Sequence, residues 1–125
     1  MSLSTAPMEK ALQNLSDALS LDKPTELERD GTIQRFEYCY ELLWKLAQRT
    51  LKQHEIEAET PKSVFRELGR LNWIDNVEDW LNFQKMRNQT SHEYGQDLAD
   101  HSYQLAKQFL PLATKLLHVL KEKNV

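Results

Sequence analysis

The sequence DGTIQRFEYCYELLWKLAQRTLKQH, residues 30–54, is the longest periodic stretch of this chain. Its apolar residues recur every three or four positions, the spacing that places them on one face of a helix. The face consists of Ile33, Phe36, Tyr40, Leu43, Trp44, Ala47 and Leu51. We predict a helix that begins at Asp30 or Thr32, ends near His54 and forms the centre of the core, with Tyr40 packed and Cys39 a small core residue.

Four further stretches predict helices. They cover about residues 7–19, a segment that begins at Thr60 and Pro61, a segment capped by Asp75 or Asn76, and about residues 97–123. The core face of the last helix is predicted to be Ala99, Tyr103, Ala106, Leu110, Ala113, Leu117 and Leu120. Residues 21–29 break the helical period and predict a connection. Pro111 predicts a kink in the last helix.

The composition supports the same fold class. Three glycines and four prolines in 125 residues leave little material for hairpins. A chain of this length is long enough for one core and too short for two. We therefore predict a single all-α domain over residues 1–125, an up-and-down bundle of about five helices joined by short links.

Charge and cysteine content restrict the possible functions. A net charge of −3 and a pI of about 5.8 argue against broad binding of duplex nucleic acid, although a small basic site remains possible. The single cysteine cannot form an internal disulfide and no signal-like segment opens the sequence, which predicts a cytoplasmic protein. No apolar run reaches the roughly 18 residues of a membrane helix. No zinc-type Cys/His spacing or glycine-rich phosphate loop is present, so neither a metal nor a cofactor is predicted.

The chemically richest stretch is RNQTSHEY, residues 87–94, which follows an apolar helical segment. Arg87 carries a permanent charge on a fork that suits phosphate, and His92 can exchange a proton near neutral pH. Together they predict phosphate binding or phosphodiester chemistry. The alternative is a polar helix C-terminus, where the helix dipole favours Arg and His.

Helix geometry restricts how Arg87 and His92 can act together. In a continuous helix they lie about 140° apart around the axis, whereas Tyr94 returns to within about 20° of Arg87. Arg87 and His92 therefore meet one substrate only if the helix bends or ends before His92, if the Arg87 side chain wraps around, or if a second subunit brings a matching copy. Gly95 is the predicted helix stop.

Charged residues on the polar faces of the predicted helices have two interpretations. Glu37, Glu41 and Lys45 are spaced for i,i+4 ion pairs on a solvated face, with Arg35 nearby. The same residues also allow one carboxylate to stand at the mouth of a polar cleft. The third predicted helix carries a basic stripe, formed by Lys62, Arg66 and Arg70. This stripe is either solvated surface or a phosphate contact.

Three blocks of the sequence together span most of the chain. The first reads ERDGTIQRFE and continues to ELLWK, within residues 28–45. The second is TPKSVFRE, residues 60–67, and the third contains WID, WL and RNQTSHEY, within residues 73–94. These blocks, in this order, resemble those of the nucleotidyltransferase substrate-binding proteins of the HEPN superfamily.

The resemblance implies a helical bundle that forms a homodimer, with the Arg-Asn-x-x-x-His motif of each subunit lining a shared cleft. In HEPN ribonucleases this motif cuts RNA without metal, which assigns Arg87 and His92 as catalytic residues. Family members often act beside a small, separately encoded nucleotidyltransferase. In the related HepT and MntA toxin–antitoxin pairs, that enzyme silences the toxin by adding AMP to the motif tyrosine. Here this residue is Tyr94, which is expected to be accessible at the rim of the cleft.

Two functions follow from the residues and the resemblance together. The first is a binding and partner module for the nucleotidyltransferase, in which Arg87 holds phosphate and Asn88, Glu37 and Arg35 contact a nucleotide or another substrate. The second is a metal-independent endoribonuclease. In that function His92 is the general acid or base, Arg87 stabilises charge on the phosphate, and Asn88 or Glu37 orients them.

Overall fold

The computed structural model describes residues 2–90 and 96–125, with side chains described for residues 2–88 and 98–125. Over these residues the chain is all-α, with five helices and no strand. The helices are α1 (Ala6–Leu19), α2 (Glu26–Gln53), α3 (Pro61–Arg70), α4 (Val77–Thr90) and α5 (Gln96–Lys123). The predicted fold class and number of helices are confirmed, and the homodimer stays a prediction.

The first residue of α2 is Glu26, so the predicted start at Asp30 or Thr32 is wrong. The reason is a capping box. The Thr25 hydroxyl accepts a hydrogen bond from the Glu28 N–H at 3.1 Å, and the Glu28 carboxylate accepts one from the Thr25 N–H at 2.9 Å. These bonds satisfy donors that a helix start leaves unpaired. The connection before α2 is correspondingly shorter than the predicted one.

The starts of α3 and α4 are confirmed. Thr60 and Ser63 form a second capping box before α3. The Asn76 side-chain oxygen accepts a hydrogen bond from the Glu78 N–H at 3.0 Å, which caps α4. Thr5 precedes α1 but makes no side-chain capping bond.

The core centres on Phe36 of α2, which is fully buried. Its ring meets Phe109 of α5 edge-on with 5.0 Å between centroids, and Phe83 of α4 at 6.3 Å. Tyr40 is also fully buried, as predicted. On α5 Phe109 is fully buried, whereas the predicted Leu110 is only partly buried.

In the described structure α1 packs antiparallel to α2. The Cys39 thiol donates a hydrogen bond to the Ala11 carbonyl at 3.1 Å, and Arg35, earlier on α2, donates to the Asn14 carbonyl at 2.9 Å. Cys39 is fully buried, as predicted, and burial raises the pKa of its thiol to about 12. The neutral thiol therefore lies inside the contact between α1 and α2.

The neighbouring helices α2 and α5 run in the same direction. Near their starts Arg29 pairs with Asp100 at 3.2 Å, and at their ends His54 Nε2 lies 2.8 Å from the Lys123 carbonyl oxygen. A strictly alternating bundle would make these two helices antiparallel, so this pair departs from the predicted order. α5 continues through Pro111 as one helix, and the kink there stays a prediction.

Gly69 allows α3 to approach the start of α4 closely. A Cβ added at Gly69 would lie 2.3 Å from Val77 Cγ2, and a β-branched side chain has little freedom to move aside. We expect Gly69→Ala to lower the free energy of unfolding by about 1–3 kcal/mol, because overpacking pushes the two helices apart. Urea denaturation measures the change. At Gly31 an added Cβ meets nothing within 4 Å, so Gly31→Ala is the matched control. Equal effects of the two substitutions would contradict the prediction.

Candidate functional site

Arg87 lies in the last turn of α4, and its side chain reaches α2. Its Nε is 3.5 Å from Glu41 Oε1, and the two side chains are 29% and 34% exposed. The predicted cation is therefore held in a half-buried ion pair that joins two helices. One part of the Arg87 side chain faces α2 and another part is accessible from solvent.

Glu41 is anchored by residues of its own helix. Its Oε2 accepts a hydrogen bond from the Trp44 indole at 3.2 Å and lies 3.5 Å from Lys45 Nζ. The i,i+4 pair with Lys45 agrees with the spacing in the sequence. The pair with Arg87 was missed, because spacing within α2 does not show which carboxylate faces α4.

Tyr40 is electrostatically linked to this ion pair. Burial raises the pKa of its phenol, the adjacent Glu41 charge raises it further, and Arg87 opposes both. The hydroxyl has no hydrogen-bond partner among the residues that the structure describes. Tyr40 is therefore a neutral packing residue and not a nucleophile.

The other predicted site residues are distributed around α2 and the end of α4. Glu37 lies one helical turn before Glu41 on the same face of α2, and Asn88 is exposed beside Arg87. Arg35 lies on the side of α2 that contacts α1, where it donates to a backbone carbonyl. The structure thus brings Glu41 to Arg87 and keeps Arg35 on another side of α2. Substrate contacts by Asn88, Glu37 and Arg35 stay predictions.

His92, Tyr94 and Gly95 lie outside the described residues. The described part of α4 extends to Thr90. The separation of about 140° between Arg87 and His92 and the helix stop at Gly95 stay predictions. The catalytic and modification roles of this segment stay predictions.

The basic stripe on α3 is a surface feature. Lys62 and Arg66 are exposed, and Arg70 pairs with Glu67 at 2.8 Å. A cleft of about 300 Å³ opens between the end of α2 and the link to α3. It is lined by Gln48, Arg49, Lys52, Ile56, Glu57, Ala58 and Glu59. Neither feature includes Arg87 or Glu41, so we place the candidate site at the contact between α2 and α4.

Neither a metal-binding group nor a membrane helix occurs in the described parts of the chain. Within residues 2–88 and 98–125, no three His, Cys, Asp or Glu side chains form a group that could hold a metal ion. None of the described helices combines the length and hydropathy that a membrane crossing requires.

Sequence comparison identifies related proteins over almost the full length of the chain. The profile of a family described as nucleotidyltransferase substrate binding protein like matches residues 3–122. The chain is also 32% identical over 126 aligned residues to a Haemophilus influenzae protein named Probable ribonuclease HepT. That match covers 94% of this chain and 86% of the relative.

Two solved structures are similar to the whole five-helix arrangement. A protein of Thermus thermophilus matches with a TM-score of 0.87 and 31% identity, over 91% of this chain and 98% of that one. A Haemophilus influenzae protein, described as revealing the fold of a substrate binding domain of a nucleotidyltransferase, matches with a TM-score of 0.86 and 29% identity. This second match covers 94% of this chain and 99% of that one.

Proposed function

The chain belongs to the nucleotidyltransferase substrate-binding protein family, and we propose that it is the substrate-binding partner of a separately encoded nucleotidyltransferase. In this proposal a nucleotide- or phosphate-binding cleft lies at the interface of a homodimer. The cleft contains Arg87, and the residues that follow it in the RNQTSHEY segment complete it.

The pairing of Arg87 with Glu41 carries this proposal. The guanidinium is held between two helices while 29% of its side chain remains exposed. A guanidinium that is already oriented binds phosphate well, because its donors form a rigid fork and less freedom is lost on binding. An acidic protein needs such a local arrangement to hold an anion, since its overall charge does not attract one.

The face of α2 beside Glu41 supports the proposed homodimer. Leu27 is 83% exposed and Tyr38 is 59% exposed, and their separation along the helix places them within about 20° of each other around the axis. Gly31, between them, has open space around it. Exposed apolar residues on one face are typical of an interface. Because Glu41 lies less than one turn from Tyr38, such an interface would place Arg87 at its edge.

The binding test uses ATP and a short single-stranded RNA with 2′-O-methyl groups, which cannot be cleaved because it has no free 2′-hydroxyl. The wild-type protein is expected to bind at least one of these ligands. Arg87→Gln is expected to weaken that binding about 10–100-fold, because charged hydrogen bonds to phosphate are lost. Calorimetric titration measures the affinity. Light scattering from the same samples is expected to give twice the chain mass of 14.7 kDa.

Arg66→Gln is the matched control, because it removes the same charge from an exposed residue of α3. It is expected to keep the wild-type affinity. An equal loss of affinity in both variants would show that the effect comes from the overall charge of the protein. That result would contradict the proposal. A monomer at micromolar concentration would contradict the cleft at a dimer interface.

The similarity to Probable ribonuclease HepT favours a second function, metal-independent endoribonuclease activity. In this function His92 takes a proton from the attacking 2′-hydroxyl or gives one to the leaving oxygen, and Arg87 stabilises charge on the phosphate. A cognate nucleotidyltransferase would silence the activity by transferring AMP to Tyr94. Both functions belong in the cytoplasm, a compartment that suits a chain whose single cysteine, Cys39, is a buried thiol.

A further inference from the structure

We propose that the cleft at the end of α2, which has a volume of about 300 Å³, binds a short peptide with free ends. The peptide carboxylate contacts α2, and the peptide ammonium group contacts the link between α2 and α3, residues 54–60. Neither Arg87 nor Glu41 lines the cleft, so the inference does not depend on the proposed function.

The wall of the cleft that α2 forms is positively charged. Arg49 and Lys52 are three residues apart, which makes their side chains neighbours on the helix surface, and both are exposed. Within the described part of the chain, neither side chain forms an ion pair or a hydrogen bond. The dipole of α2 places about half a negative charge at this end of the helix, which is less than the positive charge of the two side chains. The wall therefore attracts a carboxylate.

The opposite wall, which the link forms, is negatively charged. Glu57 and Glu59 are exposed on either side of Ala58, which is buried. Among the described residues neither carboxylate forms an ion pair, so they do not pair with Arg49 or Lys52 across the cleft. The cleft thus keeps charges of opposite sign apart on its two walls.

The two walls are held in place by bonds within the protein. The Gln48 side chain donates a hydrogen bond to the Ala58 carbonyl at 2.7 Å, which ties the link to α2. At the end of α2 the Ile56 N–H donates to the Leu51 carbonyl at 2.9 Å, and Glu55 has a positive φ of 62°. This combination is typical of a helix C-terminus, where it fixes the direction of the chain that follows. A cleft that is already formed loses less freedom when a ligand binds.

The charges on the two walls select the class of ligand. A simple anion is attracted by α2 and repelled by the link, and for a simple cation the two effects are reversed. A molecule that carries both charges is attracted by both walls. A free peptide has this form, and Ile56 and Ala58 offer it apolar contacts. The N–H groups of Glu57 and Glu59 donate to no backbone carbonyl of the described residues, so they can donate to a peptide carbonyl.

The test uses trialanine and two derivatives that each lack one charge. The N-acetyl peptide has no ammonium group, and the C-terminal amide has no carboxylate. Trialanine is expected to bind the wild-type protein, and each derivative is expected to bind about threefold to tenfold more weakly, because one charged contact is lost. A titration followed by the NMR shifts of the backbone amides of residues 48–59 measures both the affinity and the position of the ligand.

Two double variants separate the contributions of the two walls. The variant with Arg49→Gln and Lys52→Gln is expected to bind trialanine and its amide equally, while the N-acetyl peptide still binds more weakly than trialanine. The variant with Glu57→Gln and Glu59→Gln is expected to bind trialanine and the N-acetyl peptide equally, while the amide still binds more weakly.

Arg66→Gln on α3 and Glu26→Gln at the start of α2 are the controls, because both residues are exposed and neither lines the cleft. Each is expected to keep the wild-type preference for both free ends. The inference would be overturned if trialanine shifts no amide within residues 48–59, or if the wild type binds trialanine and both derivatives equally. Inorganic phosphate that binds as tightly as trialanine would indicate a plain anion site and would also overturn it.

Discussion

Arg87→Ala and His92→Ala are each expected to lower RNA cleavage by about 10²–10⁴-fold if the protein is a ribonuclease. The first substitution removes the charge that stabilises the phosphate in the transition state, and the second removes the group that transfers protons. The loss is expected mainly in kcat. Cleavage of a fluorescent single-stranded RNA measures it, and the rate is expected to depend on pH in part through His92.

His118→Ala is the matched control for the histidine, because His118 is exposed on α5 and lies 3.1 Å from Glu122, on the same surface turn. It is expected to leave cleavage unchanged. Wild-type cleavage is expected to persist in EDTA, since the mechanism assigns every step to side chains. The ribonuclease function would be excluded if the wild-type protein, in a sample free of AMP modification, cuts no RNA. Substrate binding would then be the remaining proposed function.

Tyr94→Phe is expected to abolish AMP transfer from the cognate nucleotidyltransferase. With ATP and Mg²⁺, the wild-type protein is expected to gain the mass of one or more AMP groups, because the phenol oxygen attacks the α-phosphate and pyrophosphate leaves. An AMP group at Tyr94 would bring negative charge and bulk close to Arg87, which blocks the site in both proposed functions. Intact-mass spectrometry measures the modification.

Tyr38→Phe is the control for this experiment, because Tyr38 is a 59% exposed tyrosine on α2. This variant is expected to be modified as fully as the wild type. Modification that persists in Tyr94→Phe and disappears in Tyr38→Phe would move the acceptor to α2 and remove the proposed switch.

The sequence predicts the starts of α3 and α4 correctly. The side chains of Thr60 and Asn76 each accept a hydrogen bond from a backbone N–H at a helix start. The start of α2 was missed because the apolar period begins later than the helix. The capping signal at Thr25 and Glu28 was present in the sequence but did not coincide with the first core residue.

The candidate site was predictable only in part, because its ion pair joins distant segments. Arg87 stands out in the sequence by its motif. Glu37 and Glu41 are equivalent by spacing, and only the packing of α4 against α2 shows that Glu41 reaches Arg87. The core face of α5 was also only partly predictable. Phe109 and Leu110 both fit a helical period, and only the contact of Phe109 with the Phe36 ring shows which of them lies in the core.

The buried thiol of Cys39 allows local opening of the protein to be measured by chemical labelling. Thiol reagents attack the thiolate, and burial raises the pKa of this thiol from 9.0 to about 12. Below pH 9.0 the Cys39 thiol keeps its proton in both the folded and the unfolded chain. Between pH 9.0 and about 12 it keeps the proton only in the folded chain. The contribution of Cys39 to the free energy of unfolding therefore declines as the pH rises through that interval. Because Cys39 is fully buried, its alkylation at pH 8 is expected to require an opening that breaks the bond to Ala11. The labelling rate, compared with the rate of global unfolding, then measures how often α1 separates from α2.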